Sequence, residues 1–88
     1  MKLRGQFVVR QVLDTVVAVP VEQTALEFNG MVMLNEVSRV IWTCLQQDTT
    51  VDAIVTAVTD AFEVDAAQAA ADVVEFLDQL RDVQLLEE

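Results

Sequence analysis

Ser38 and Cys44 are the side chains in this 88-residue chain whose atoms could act as nucleophiles on a predicted helix. Neither has an activating base nearby in sequence, and the chain contains no histidine. Histidine is the commonest general base and the commonest metal ligand. Cys44 is the only cysteine, so no thiolate cluster for zinc or iron–sulfur and no internal disulfide can form. Gly5 and Gly30 stand too far apart to cradle a phosphate. The tail Leu85-Leu86-Glu87-Glu88 lacks calcium-loop spacing and reads as a solvated end. The chain is therefore read as a non-enzyme with no metal and no cofactor. A small sheet followed by helices with no catalytic residue suggests a binding module whose tools are a strand edge and a groove. The most informative stretch runs from Gly30 to Leu45 and opens with Met31, Val32, Met33 and Leu34.

These four residues form a short apolar strand that leads into Asn35, a favoured N-cap type, and then into a helix. Everything before them reads as β and everything after as α. Residues 6–13 (QFVVRQVL) predict a first strand, Asp14-Thr15 a turn, and residues 16–21 (VVAVPV) a second strand. Pro20 has no N–H, which places that side of it at an edge or a strand end. Residues 22–29 are a connector, with Ala25–Phe28 available to extend the third strand backwards. Asn29-Gly30 is a turn signal.

Three helices are predicted next. The first carries Val37, Val40, Ile41, Cys44 and Leu45 at helical spacing, with Trp42 beside them, and ends near Gln47-Asp48. Trp42 is read as a core anchor, with display to a partner as the alternative. The second helix is announced by Thr49-x-x-Asp52 and has Val51, Ile54, Val55, Val58 and Phe62 on one face. The third starts at Asp65, with Gln68 in a similar capping arrangement, and runs to about Asp82; Leu85 and Leu86 follow as a last docked turn. Its apolar surface is about twice the width a core-facing helix needs. Either it is buried on several sides, or the flank Ala67, Ala70, Val74 and Leu77 lines an open groove.

The chain is long enough for one domain, residues 1–88. Apolar residues make up 53 % of it, which excludes a disordered tail. No run is long enough to span a membrane, and MKLRGQF is too polar for a signal peptide, so a cytoplasmic protein is expected. The net charge is −10, which repels phosphates and anionic lipid. That surface either favours a basic partner or only keeps the protein soluble. Strands followed by helices also fit a DNA-binding winged helix, but Arg81 is the only base on the third helix, against several acids. Neither nucleic acid nor membrane is an expected partner.

The segments GMVMLNEVSRVIWTCL, TTVDAIVTAVTDAFEVD and DVVEFLDQLRDVQLLEE, in that order, resemble the pyrroloquinoline quinone biosynthesis protein D family. The resemblance covers nearly the whole chain and is clearest from Gly30 onward. It implies an α+β, winged helix-turn-helix-like fold, an N-terminal three-stranded antiparallel sheet followed by three helices. It also implies the work of a recognition element for ribosomally synthesised, post-translationally modified peptides. In that family a precursor's leader peptide adds to the edge of the third strand and lies against the third helix. The domain then presents the precursor to a modifying enzyme, often a radical S-adenosylmethionine protein. Carried onto this chain, the edge is Met31, Val32, Met33 and Leu34, and the helix wall is Ala67, Ala70, Val74, Leu77 and Arg81. Arg81 has a second reading, a salt bridge with Asp78 or Asp82. The two methionines either line the peptide site or fill core. Two departures stand out: no glycine precedes the terminal leucines, and the Val21–Asn29 connector is long. A homodimer, paired through the strand edge or the third-helix flank, is the competing function.

Overall fold

The computed structural model describes residues 1–88. The chain forms two compact units, Gly5–Asn35 and Met1–Arg4 with Glu36–Glu88.

The first unit is a three-stranded antiparallel sheet of β2 (Phe7–Val12), β3 (Thr15–Pro20) and β4 (Val32–Leu34), in that order, with β3 central. The β2–β3 turn is Leu13-Asp14, one residue earlier than expected, with Leu13 in the left-handed region at φ 56°. A leucine there is unfavourable by about 1–2 kcal/mol, which is why the sequence pointed to Asp14-Thr15 instead. The 22–29 connector contains a helix, α1 (Glu22–Glu27), and does not extend the third strand. Phe28 N–H closes it on Thr24 C=O at 2.8 Å. Thr24 is its one buried residue, so no apolar stripe announced it. Thr24 Oγ1 accepts the Gln6 N–H at 2.8 Å, and a Cβ at Gly5 (φ 97°) would sit 2.8 Å from the same oxygen. Gly5 is therefore required both by conformation and by close approach. Phe7 and Phe28 meet edge to face, with ring centroids 5.9 Å apart.

The second unit pairs β1 (Lys2–Leu3) with β5 (Leu86–Glu87) beside α2 (Glu36–Cys44), α3 (Val51–Ala61) and α4 (Ala66–Asp82). The terminal leucines thus end in a strand and not in a last helical turn. In α2 the buried stripe is Ser38, Ile41 and Trp42, continued by Leu45 just past the helix end, while Val37, Val40 and Cys44 are half-buried. Trp42 is a core residue, and Ser38, placed on the buried stripe, is no surface nucleophile. Ile54 and Val58 of α3 and Ala69, Val73, Phe76, Leu77 and Leu80 of α4 complete the core.

The N-cap of α3 is Thr50, whose side chain accepts the Ala53 N–H at 3.2 Å. Thr49, the expected cap, is held by the chain's first residue: its N–H donates to Met1 C=O at 2.8 Å and its C=O accepts the Met1 amine at 2.9 Å. Asp65 caps α4 by accepting the Gln68 N–H at 2.8 Å. The helix then stops in a Schellman motif. Leu85 N–H reaches Leu80 C=O at 2.8 Å, and Gln84 N–H reaches Arg81 C=O at 2.9 Å. Gln84 takes the left-handed conformation, φ 61°, where glycine is usual.

Candidate functional site

The bond directions in β4 follow from the hairpin that precedes it. Val12 and Thr15 close the two-residue turn, and such a closing pair exchanges both hydrogen bonds. Bonded and non-bonded pairs then alternate along the ladder. Thr15, Val17 and Val19 therefore address β2, and the 3.0 Å bond from Val21 N–H to Gln6 C=O keeps the same alternation. Val16 and Ala18 address β4, where their partners are Leu34 and Val32. Met33, opposite Val17, points its N–H and C=O away from β3, toward the open edge. Pro20 follows the same rule. Its missing N–H falls on the β4 side, beyond the point where β4 begins.

Side chains alternate as well. Leu34 is buried, at 5 % exposure, and Val32 is half-buried. Met33 is 68 % exposed and Met31, just outside the strand, 57 %. The methionines therefore lie outside the core, beside a backbone edge with no partner strand. Gly30, at φ 147°, makes the bend that starts this segment.

The residues singled out on α4 separate into two groups. Ala67 is exposed, Ala70 half-buried and Val74 45 % exposed, and the three recur at helical spacing on one flank. Leu77 departs from the expectation: at 1 % exposure it belongs to the core. Its position lies toward Val73 and Leu80 on the helical wheel, and that side is the buried one. Most of the unusual apolar width of α4 is thus explained by burial.

Arg81 is already engaged. Its Nη1 donates to Asp78 Oδ1 at 2.9 Å and its Nη2 to Glu88 Oε1 at 2.9 Å, with Nε donating to both Glu88 oxygens. The pairing is with Asp78 and Glu88, not Asp82. Hydrogen bonding from the guanidinium holds the Glu88 carboxyl below its ordinary value, and the Glu88 bond in turn raises Arg81. A peptide carboxylate would have to displace Glu88 to reach Arg81. Sequence spacing could not reveal the Glu88 partner, because it is brought back by the turn at Gln84 and strand β5.

No group of three or more histidine, cysteine or acidic residues is arranged to hold a metal. No helix is long and apolar enough to cross a membrane.

No curated protein sequence matches the chain. Among solved structures, TbiB1 in complex with the TbiA(beta) leader peptide is similar over 99 % of this chain and 95 % of that one, at 26 % identity and a TM-score of 0.72. The sequence matches the family described as coenzyme PQQ synthesis protein D over residues 11–86. That span includes all six elements from β3 through α4, and the chain belongs to the coenzyme PQQ synthesis protein D (PqqD) family.

Proposed function

We infer that residues 1–88 work as one recognition module that binds the leader segment of a ribosomally made precursor peptide by strand addition at β4. The observation that carries this reading is the outward N–H and C=O of Met33 on an edge with no partner strand. An incoming extended peptide finds there a backbone ladder, and alternate side chains supply selectivity. Met31 and Met33 are suited to line such an edge, because thioether chains are flexible and polarisable. The similarity to a protein solved with a leader peptide supports the same reading.

The exposed α4 flank of Ala67, Ala70 and Val74 is offered as a second contact surface. Alanines let a backbone approach closely. Leu77 and Arg81 contribute to it only by holding the helix end in place. The module is an adaptor, non-catalytic, that hands the precursor to a modifying enzyme. A radical S-adenosylmethionine protein is the class of enzyme we propose.

The test is a titration of isotope-labelled protein with leader-length peptides encoded near its gene, read by amide chemical shifts. Saturable shifts centred on Gly30–Leu34, with a second set on Ala67–Val74, are expected. Saturable binding with shifts confined to other segments would overturn the assignment of the edge. Absence of binding by every neighbouring peptide would overturn the function.

A further inference from the structure

We propose that the Met33-bearing face of the sheet docks the modifying enzyme, through an apolar patch centred on Arg10. The inference rests on the adaptor reading above and names the surface used by the second partner. Residues opposite one another in a ladder put their side chains on the same face. Val8 opposes Val19, Arg10 opposes Val17, Val12 opposes Thr15, and Val17 in turn opposes Met33. An antiparallel sheet with one face in water normally alternates apolar and polar residues. This one does not. Ala18 and Leu34 are buried on the other face, yet the Met33 face is apolar too, with Thr15 and Arg10 its only polar members. Val8, Arg10, Val12 and Met33 are exposed around a buried Val17.

The charge pattern is as selective as the apolar one. The chain has 15 acidic residues, and none lies in β2, β3 or β4. The ion pairs of the protein engage the Met1 amine and Arg81, and Arg10 has no carboxylate beside it. A carboxylate on a docked surface would find a free guanidinium, able to take it with two parallel bonds, among valines that exclude water.

These features select a folded protein as the occupant. A peptide strand added at β4 lies beside Met33 and covers none of Val8, Arg10 or Val12, two strands and about 10 Å away. An anionic membrane is repelled by a chain of −10. The same face of a second copy offers no carboxylate for Arg10. Arg10 also guards the β2 edge against a further strand, which leaves the face as the accessible surface. In the adaptor reading the folded partner is the modifying enzyme. Met33 links the two surfaces, because its backbone faces the peptide edge while its side chain lies on this face. An enzyme seated there touches alternate side chains of the added leader strand, which holds the precursor against it. The patch is small for a permanent interface, so a transient complex is expected, with a micromolar Kd.

The test is calorimetric titration of this protein with the purified modifying enzyme encoded beside it, and of the same samples with leader peptide. Arg10→Gln removes the charge from the face and Val12→Glu adds an acid to it. Both positions are exposed, and circular dichroism checks the fold. Gln11→Glu changes the net charge as much as Arg10→Gln does, but on the opposite face. Arg10→Gln and Val12→Glu should each weaken enzyme binding by about tenfold or more. Gln11→Glu should leave it unchanged, and all three variants should keep the wild-type affinity for leader peptide. A wild type that does not bind the enzyme, indifference to both Arg10→Gln and Val12→Glu, or an equal loss in Gln11→Glu would each overturn the proposal. Enzyme binding with the expected pattern, but no binding of leader peptide, would overturn the peptide reading and leave the docking face standing.

Discussion

Met33→Pro and Val32→Pro are adjacent substitutions with opposite expected consequences. Proline removes one N–H and adds a ring on that side of the strand. At position 33 the lost N–H faces the open edge, and the native side chain is largely in solvent. Folding should change by less than about 1 kcal/mol. At position 32 the lost N–H serves Ala18, a fully buried residue. Stranding its carbonyl costs about 1–3 kcal/mol, and losing the half-buried valine adds about 1 kcal/mol. Val32→Pro should therefore lower stability by about 3 kcal/mol, a drop of more than about 10 °C in Tm for a domain of this size. Binding should rank the other way in a folded protein. Met33→Pro removes a ladder bond to the peptide, about 0.5–1.5 kcal/mol net, and its ring blocks close approach. Together these should raise the leader Kd by about tenfold to a hundredfold. Thermal melts and calorimetric titration of both variants decide the matter. Equal destabilisation would refute the bond directions worked out from the hairpin. Full affinity in a folded Met33→Pro variant would move the peptide site elsewhere.

Gln84→Gly should stabilise the protein by about 0.5–1 kcal/mol, since the left-handed cost at this cap exceeds the added chain entropy of glycine; an unchanged or lower Tm would contradict the cap geometry. Gly5→Ala should destabilise by more than about 1 kcal/mol, through both φ 97° and the 2.8 Å approach to Thr24 Oγ1, and chemical denaturation measures it. The Glu88 carboxyl is held below its ordinary value in the fold, so its bond to Arg81 stabilises above the unfolded carboxylate range and is lost as pH falls through the folded pKa. The difference in stability between wild type and Glu88→Gln should accordingly be flat at neutral pH and vanish in acid; a difference that grows on acidification would reverse that sign. On addition of leader peptide, the Met31 and Met33 amides should gain exchange protection together, while Val32 and Leu34 are protected beforehand. Protection of Met33 alone would mean that β4 does not lengthen.

Periodicity exposed the elements whose signal is repeated along the chain. The β2–β3 hairpin and the three long helices each carry several apolar residues at one spacing, and their positions were legible to within a residue or two, except that α2 stops at Cys44, short of the expected Gln47-Asp48. Three features lay beyond that signal. Helix α1 buries only a threonine and starts from Glu22 at φ 56° without a side-chain cap, so neither stripe nor cap marked it. The choice between Thr49 and Thr50 as cap depended on Met1, far away in sequence. The stop of α4 at Gln84 depended on two backbone bonds that tolerate a residue the statistics disfavour. At the candidate site, strand parity was legible because alternation is a fixed rule. The fate of Leu77 was not, because an apolar residue on a broad apolar helix reads alike in a groove and in a core.

The burial of Leu77 changes where binding energy can come from. What this flank of α4 leaves exposed is Ala67, part of Ala70 and under half of Val74, and covering that much of Val74 is worth about 1 kcal/mol. Under the proposed strand addition, the backbone edge would then carry most of the affinity. Yet β4 offers only Met33 with both polar groups turned outward within its three residues. Two net hydrogen bonds of about 1 kcal/mol each cannot offset the cost of ordering a flexible peptide. Met31 resolves the shortfall. It lies two residues before Met33, so a strand lengthened through it would present its N–H and C=O on the same side. Doing so doubles the outward bonds and places both methionine side chains on one face along the added strand. Gly30 permits the change, because no side chain at that bend has to be accommodated as the segment straightens. On the proposed reading, recognition at this edge would consist of peptide addition coupled to extension of β4, with the methionine pair as its apolar lining.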